Sequence, residues 1–230
     1  MFCNVAAQTL RGPQLDEAPR VILDRDGIVT YDPYFIDPWA ADELFGSLRT
    51  STPWKQEHLR MYGREISFPR LTAWYGDRGA TYTYSGLRNE PLPWTPVLRA
   101  VQALLRARLG VKFNSVLLNF YRAGQDSLSW HADDEPELGS EPVIASVSLG
   151  ATRRFLLRHT VSREVAEVSL EHGSLLVMSG ATQQNWKHQV PKAGNAASER
   201  INLTFRVIEA HRNHSDSVRP ARSKSPRKTR

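Results

Sequence analysis

The chain has 230 residues, of which 40% are hydrophobic, and this is enough for one domain with a sizeable core. Its formal net charge is +6, and its single cysteine, Cys3, excludes an internal disulfide and fits a reducing compartment. No apolar run is long enough for a transmembrane helix, and the first residues do not resemble a signal peptide. We therefore expect a soluble intracellular monomer without a membrane partner, cytoplasmic in a bacterium or nuclear in a eukaryote.

The two ends of the chain are expected to lie outside the folded part. Residues 1–18 are predicted to be a flexible leader, and residues 211–230 a disordered tail too poor in apolar residues to fold. Seven Lys and Arg against one acid give this tail a net charge of +6, so residues 1–210 are neutral overall. The tail either attracts nucleic-acid phosphates in a salt-sensitive way or only keeps the chain in solution. Residues 19–210 are predicted to form a single domain.

A β-hairpin and two helices are predicted in the first half of the chain. Apolar residues on both sides of a turn that contains Asp and Gly predict a hairpin over 21–31. An Asp-Pro pair at 37–38 begins a helix that runs to about Arg49, because Asp caps a helix and Pro fits its first turn. A Thr-Pro pair at 95–96 begins a second helix with an apolar stripe, which ends at Gly110.

Strand signals dominate the second half. Short apolar runs between turn residues predict six strands, over 113–121, 143–149, 154–158, 165–170, 174–178 and 200–208. Helices followed by strands indicate the α+β class, with the helices buttressing a β-sandwich.

The strand from Arg200 to Arg206 has one apolar face and one polar face, because strand side chains alternate. Arg200, Asn202, Thr204 and Arg206 share the polar face. Two guanidiniums on the inward side of a strand are costly unless an anion lies between them, and each matches a carboxylate or a phosphate. The strand therefore predicts half of a site for a small dianion. The alternative is two solvated arginines on an exposed edge strand.

A candidate metal site comes from His131, Asp133 and His188. The His-x-Asp pair puts an imidazole and a carboxylate on one side of an extended segment, and His188 would add a second imidazole. Two histidines and one carboxylate form the facial triad of non-haem Fe(II) oxygenases. Taken alone, the pair is a weak motif and His188 also fits a strand-end histidine. The triad followed by a strand with two arginines predicts an oxygenase that uses 2-oxoglutarate, since this molecule chelates iron and needs a cation for its far carboxylate.

Five segments resemble the AlkB family of Fe(II)/2-oxoglutarate dioxygenases, and the position of Tyr62 resembles the duplex-DNA-repairing branch of that family. They are Asn119-Phe120-Tyr121, Trp130 to Glu135, Ser146 to Gly150, His172 to Leu175 and Arg200 to Arg206. The resemblance implies a double-stranded β-helix (jelly-roll) core at about 113–208 and a nucleotide-recognition segment at about 55–90. It also implies the oxidation of N-alkyl groups on nucleic-acid bases with Fe(II), 2-oxoglutarate and O2.

The resemblance assigns roles around the iron. The implied iron ligands, which are also the catalytic residues, are His131, Asp133 and His188. The implied co-substrate ligands are Asn119, Tyr121, Arg200, Asn202 and Arg206. Within this second set, Arg200 pairs with the far carboxylate, whereas Asn202 and Arg206 hold the end that chelates iron.

The resemblance also implies contacts with the substrate. The implied substrate-binding residues are Tyr62, Arg70, Tyr82, Tyr84, Asp134 and Glu135. Tyr82 would stack on an extruded base, although sheet packing is the alternative for both Tyr82 and Tyr84. Tyr62 would fill the gap that the base leaves in a duplex. The alternative is an exposed hairpin tip without a function.

Asp134 and Glu135 would favour a base that carries positive charge, such as N1-methyladenine or N3-methylcytosine. The alternative is a solvated acidic turn. The sequence thus predicts an oxidative demethylase that repairs N-alkylated bases in single- or double-stranded DNA and releases formaldehyde and succinate. An RNA or protein side-chain demethylase or hydroxylase of the same superfamily remains an alternative, as does a non-catalytic nucleic-acid-binding protein.

Overall fold

The computed structural model describes residues 18–61, 64–84, 87–194 and 197–209. The predicted basic tail, and all but one residue of the predicted leader, lie outside these ranges. The elements of the first half are β1 Arg20–Leu23, β2 Ile28–Asp32, α1 Pro38–Ser51, β3 Lys55–Met61, β4 Arg64–Gly76, β5 Tyr82–Tyr84, β6 Leu87–Asn89 and α2 Pro96–Leu109. The elements of the second half are β7 Ser115–Tyr121, β8 Leu128–His131, a 3-10 turn Pro136–Leu138, β9 Ile144–Gly150, β10 Arg153–His159, β11 Val165–Leu170, β12 Leu175–Ser179, α3 Thr182–Asn185, β13 Trp186–Val190 and β14 Arg200–Arg206.

The predicted hairpin and both predicted helices are confirmed. β1 and β2 pair antiparallel across the turn. The carboxylate of Asp37 accepts hydrogen bonds from the backbone N–H groups of Trp39 and Ala40, at 3.0 and 3.4 Å, and so caps α1. The hydroxyl of Thr95 caps α2 in the same way, and Gly110 ends that helix with a φ of 70°, a conformation that glycine adopts without strain.

The strands form two large antiparallel sheets, which confirms the α+β jelly roll. The larger sheet has the order β1-β2-β12-β9-β14-β7-β4-β3, and the smaller one has the order β11-β10-β13-β8. A separate two-stranded sheet pairs β5 with β6. The hairpin of β3 and β4 comes from the predicted nucleotide-recognition segment, and β4 pairs with β7. The larger sheet therefore extends beyond the predicted core on both sides.

The larger sheet has a helix-facing side and an inner side. Apolar side chains of β7, β9 and β14, such as Leu118, Val147 and Leu203, pack with buried residues of α1 and α2. On the inner side, residues such as Tyr121 and Met178 pack against the smaller sheet. The odd-numbered residues of β14 belong to the helix-facing core, so its even-numbered polar residues point between the two sheets.

None of the helices in the described ranges combines the length and the apolar character needed to cross a membrane.

Candidate active site

The three predicted iron ligands meet at two neighbouring strands of the smaller sheet and the loop that follows one of them. His131 ends β8, Asp133 follows it by two residues, and His188 is the central residue of β13. The antiparallel pairing of these strands places His131 directly opposite His188, with ring centroids 4.1 Å apart. One ligand atom from each of the three side chains lies within 4.8 Å of the others. Two imidazoles and a carboxylate in this arrangement fit Fe(II).

The protonation states of this triad suit a metal. Burial lowers the pKa of His131, and it lowers the pKa of His188 to about 3, so both imidazoles are neutral at neutral pH. Burial alone would raise the pKa of Asp133, but the charge of Arg206 and then those of the two histidines hold it well below its usual range. Metal binding requires neutral imidazoles and an ionised carboxylate, and the site holds its ligands in these forms.

The backbone and one buried amide orient the ligands. The Nδ1 of His131 lies 2.8 Å from the carbonyl oxygen of Ser129. In the neutral ring Nδ1 therefore carries the proton and donates a hydrogen bond to this carbonyl, and Nε2 keeps its lone pair for a metal. The backbone N–H of Asp133 donates to the Oε1 of Gln183 at 2.9 Å. Gln183 lies on α3, five residues before His188, so it links the segment that carries one ligand to the strand that carries another.

The predicted co-substrate residues come from the inner side of β7 and β14. These strands pair so that Arg200 lies opposite Tyr121 and Asn202 opposite Asn119. The guanidinium of Arg200 is buried 5.0 Å from the ring centroid of Tyr121, and its Nη2 donates to the hydroxyl of Ser148 at 3.0 Å. Its Nε and Nη1 are buried and have no hydrogen-bond partner among the described residues. Such a group fits the far carboxylate of a dicarboxylic acid.

The other end of β14 lies beside the metal ligands. The Nη2 of Arg206 donates to the Oδ2 of Asp133 at 2.8 Å, in an ion pair that is almost fully buried. The amide of Asn202 is held in place by the hydroxyl of Ser146, 2.7 Å from its Nδ2, and by the hydroxyl of Thr204, 2.8 Å from its Oδ1. The polar face of β14 therefore begins at the buried cation of Arg200 and ends at Arg206, beside the metal triad.

One cavity brings these groups together. The predicted residues that line it are Arg70, Asn119, Tyr121, His131, Asp133, His188, Arg200, Asn202 and Arg206. Apolar side chains complete its wall, among them Phe155, Leu170, Met178 and Val190. A dianion and a metal can thus lie side by side in a space from which apolar residues exclude much of the water.

The predicted substrate residues differ in placement. Arg70 is buried on β4, and its Nε donates to the Oδ1 of Asn119 at 2.7 Å, which joins it to the co-substrate residues. Asp134 is exposed and Glu135 half-buried, and neither lines the cavity. Tyr62 lies outside the described residues, as do the side chains of Tyr82 and Tyr84 on β5.

Two buried residues near the site were not predicted from the sequence. Gln183 resembles an ordinary polar residue of a short helix, and no sequence signal distinguishes it. Arg153 begins β10 and is 2% exposed. Its alternation with Phe155 and Leu157 is the signal that would have placed it on an inward face.

Comparisons with known proteins agree with this geometry. Residues 28–206 match the 2OG-Fe(II) oxygenase superfamily. Alpha-ketoglutarate-dependent dioxygenase alkB homolog 3 of Rattus norvegicus is 45% identical over 215 residues, which cover 83% of this chain and 71% of the relative. The Homo sapiens homolog of the same name is 42% identical over 212 residues, covering 83% of this chain and 73% of the relative. DNA oxidative demethylase ALKBH2 of Homo sapiens is 41% identical over 179 residues, covering 73% of this chain and 69% of the relative.

Among solved structures, one described as the structure of OsALKBH1 superimposes with a TM-score of 0.54. It covers 82% of this chain and 100% of its own, at 18% identity, which supports the fold alone.

Proposed function

The chain belongs to the AlkB family of the 2OG-Fe(II) oxygenase superfamily and is an Fe(II)/2-oxoglutarate-dependent dioxygenase, and on this basis we propose that it repairs N-alkylated bases in DNA by oxidative demethylation. The observation that carries the proposal is the cavity in which the triad and the arginines of β14 meet. Relatives named as DNA oxidative demethylases support DNA as the substrate. Residues 19–210 would form the catalytic domain, with residues 211–230 as a basic tail.

Different residues of the cavity would bind the metal and the co-substrate. His131, Asp133 and His188 would hold Fe(II), in the protonation states that burial and Arg206 impose. When bound, Fe(II), 2-oxoglutarate and O2 supply the oxidation of an N-methyl carbon, and the protein supplies binding and orientation. The products would be the unmodified base, formaldehyde, succinate and carbon dioxide.

The two ends of β14 would orient the co-substrate. Arg200, with the Tyr121 ring beside it, would bind the far carboxylate, because its Nε and Nη1 have no partner in the described part of the protein. Asn202 would bind the other end, where Arg206 already contacts Asp133, and would exchange a hydrogen bond from its Nδ2 to Ser146 or Val147 for one to the co-substrate. Asn119 accepts a hydrogen bond from Arg70 through its Oδ1, which leaves its Nδ2 to donate to the co-substrate.

Acidic and aromatic residues would recognise the substrate. Asp134 and Glu135 follow a metal ligand directly, and their charge would favour the cationic N1-methyladenine and N3-methylcytosine over neutral bases. Tyr82 and Tyr84 would contact the extruded base. Tyr62 would act only on a duplex, where extrusion of a paired base costs a few kcal/mol.

The test is mass spectrometry of a DNA oligonucleotide with one N1-methyladenine, incubated with the full chain, Fe(II) and 2-oxoglutarate. We expect loss of the methyl group and a matching release of succinate. An RNA oligonucleotide of the same sequence, added as a competitor, distinguishes an RNA demethylase. The Asp133→Ala variant is the control for metal-dependent turnover. Succinate release without repair of either oligonucleotide would indicate another substrate, and no succinate release would indicate a non-catalytic protein.

A further inference from the structure

Arg153 is a second buried guanidinium at the Arg200 end of the cavity. It shares the inward face of β10 with Phe155, which lines the cavity. The next residue, Arg154, points the other way, is exposed and pairs with Glu167 at 2.6 Å. One arginine of an adjacent pair is therefore turned into the protein and the other toward solvent.

Arg153 and Arg200 both lie close to one aromatic ring. Their Cζ atoms lie 5.4 and 5.0 Å from the ring centroid of Tyr121, within the range of a cation–π contact. Burial lowers the pKa of Arg200, Tyr121 offsets this in part, and the charge of Arg153 lowers the pKa further. The two cations thus repel each other while they share the Tyr121 ring.

No carboxylate in the described ranges forms an ion pair with either guanidinium. Burial lowers the pKa of Arg153, and Tyr121 and then the charge of Asp126 offset this in part. Arg153 donates through Nη2 to the backbone carbonyls of Asp126 and Pro191, at 2.8 and 2.6 Å, and Arg200 donates through Nη2 to Ser148. The Nε and Nη1 of both arginines are buried without a hydrogen-bond partner among the described residues. Two buried cations with spare donors are costly until an anion approaches them.

Arg153 also joins two loops at this end of the cavity. Asp126 belongs to the loop between β7 and β8, and Pro191 follows β13. A backbone hydrogen bond of 2.7 Å from Ala193 to Gly124 connects the same two loops. One guanidinium nitrogen therefore holds the loop that leaves β7 against the segment that leads to β14.

We propose that Arg153 is a positioning residue for the distal carboxylate of 2-oxoglutarate, which holds Tyr121 against Arg200 and adds positive potential at that end of the cavity. This role rests on the proposed co-substrate site. Because charge acts over several ångströms in a protein interior, the effect requires no direct contact with the carboxylate. The Arg153 charge should raise the affinity only for ligands that carry a distal carboxylate.

The test compares two 2-oxo acids that differ only in the distal carboxylate. Binding of 2-oxoglutarate and of 2-oxopentanoate, which lacks the distal carboxylate, is measured on the full chain with Mn(II) in place of Fe(II). In Arg153→Met and Arg153→Gln we expect 2-oxoglutarate to bind about tenfold more weakly, or about 1.4 kcal/mol. Binding of 2-oxopentanoate should stay within about twofold, because it does not sense the lost charge.

Two further variants separate charge from structure. Arg153→Lys keeps the charge. The exposed neighbour variant Arg154→Met removes a charge of the same kind from the next residue, about 3.3 Å along the strand and on its opposite face. Both variants should stay within about threefold of wild type for 2-oxoglutarate. If Arg153→Met does not fold, Arg153→Gln and Arg153→Lys still differ in charge while both keep a hydrogen-bond donor.

Equal weakening of the two acids would mean that Arg153 only supports the fold. Unchanged 2-oxoglutarate binding in the neutral variants would remove its role and leave the proposed function intact. Failure of the wild-type chain to bind 2-oxoglutarate at all would overturn the co-substrate site itself, and the role of Arg153 with it.

Discussion

His188 links the stability of the metal-free protein to pH. Burial, and then the charge of His131, lowers the pKa of His188 from 6.5 to about 3. Between these values the unfolded chain binds a proton that the folded chain does not, so stability falls as the pH drops below about 6.5. From this group alone, we expect the free energy of unfolding to fall by about 2 kcal/mol between about pH 7 and about pH 5.

Urea unfolding of chelator-treated protein at these two pH values measures the effect, with His188→Gln as the matched variant. The variant has no imidazole to titrate at this position, so its stability should change less over the same range. The same pH dependence in both proteins would show that His188 is not a buried neutral group.

The two ligands of the His-x-Asp pair should differ in their effect on the fold. The side chain of His131 is 22% exposed, whereas Asp133 is buried and forms an ion pair with Arg206. Both His131→Ala and Asp133→Ala should abolish Mn(II) binding and turnover. Only Asp133→Ala removes the carboxylate from a buried guanidinium, and this costs up to about 3–5 kcal/mol. Urea unfolding of the metal-free variants measures the difference, and equal destabilisation would contradict the buried ion pair.

At the scale of elements, the short helix α3 should set the affinity for metal. Gln183 on α3 accepts the backbone N–H of Asp133, and the neighbouring Gln184 is exposed and donates to the carbonyl of Ser140. In Gln183→Leu the backbone N–H of Asp133 loses its acceptor. The Asp133 carboxylate is then no longer oriented toward the metal. We expect Mn(II) to bind about 10–100-fold more weakly, as is typical when the partner of a metal ligand is lost.

Titration of the metal-free protein with Mn(II) measures this affinity, and Gln184→Leu is the control from the same helix. The control should bind Mn(II) as the wild type does. Equal weakening in both variants would point to a general loss of α3, and no weakening in Gln183→Leu would show that the backbone alone orients Asp133.

The elements that sequence patterns predicted are those with strong local signals. Caps and turns located the hairpin and both helices, and apolar runs located β7, β9, β10, β11, β12 and β14. The long strand β4 was not predicted, because Pro69 interrupts its pattern. The structure places Pro69 in a stretch where the pairing of β3 and β4 shifts register, so a residue without an N–H is tolerated there.

The strands β8 and β13 were also missed, although they carry the metal ligands. Each has only a few apolar residues, since His131 and His188 occupy inward positions that a core strand would give to apolar side chains. For the site itself, the order of motifs led to the proposed metal and co-substrate residues, which line the cavity, whereas Asp134 and Glu135, predicted as substrate contacts, do not line it. Alternation along β10 could have placed Arg153 on an inward face, but the contacts of Arg153 and Gln183 join segments that are distant in the sequence and were not predictable from it.

At the scale of the whole molecule, each sheet supplies half of the site. The smaller sheet and the loop after β8 carry the metal ligands, and β7 and β14 of the larger sheet carry the co-substrate residues. The Arg206–Asp133 ion pair joins the two halves directly. A co-substrate that chelates the metal and pairs with Arg200 would add a second link, so metal and co-substrate together should stabilise the fold more than either alone.

We expect Mn(II) and 2-oxoglutarate, each at about 100 times its dissociation constant, to raise the melting temperature in two steps. One such ligand adds about 2.7 kcal/mol, and for a domain of this size each kcal/mol corresponds to about 2–4 °C. 2-Oxoglutarate without metal should have little effect on the melting temperature, because it then has the contact with Arg200 but not the one with the metal. Arg200→Ala should retain the Mn(II) step and lose the 2-oxoglutarate step, while EDTA should reverse both steps in the wild type. A full 2-oxoglutarate step without metal, or in Arg200→Ala, would mean that the co-substrate does not bridge the two sheets.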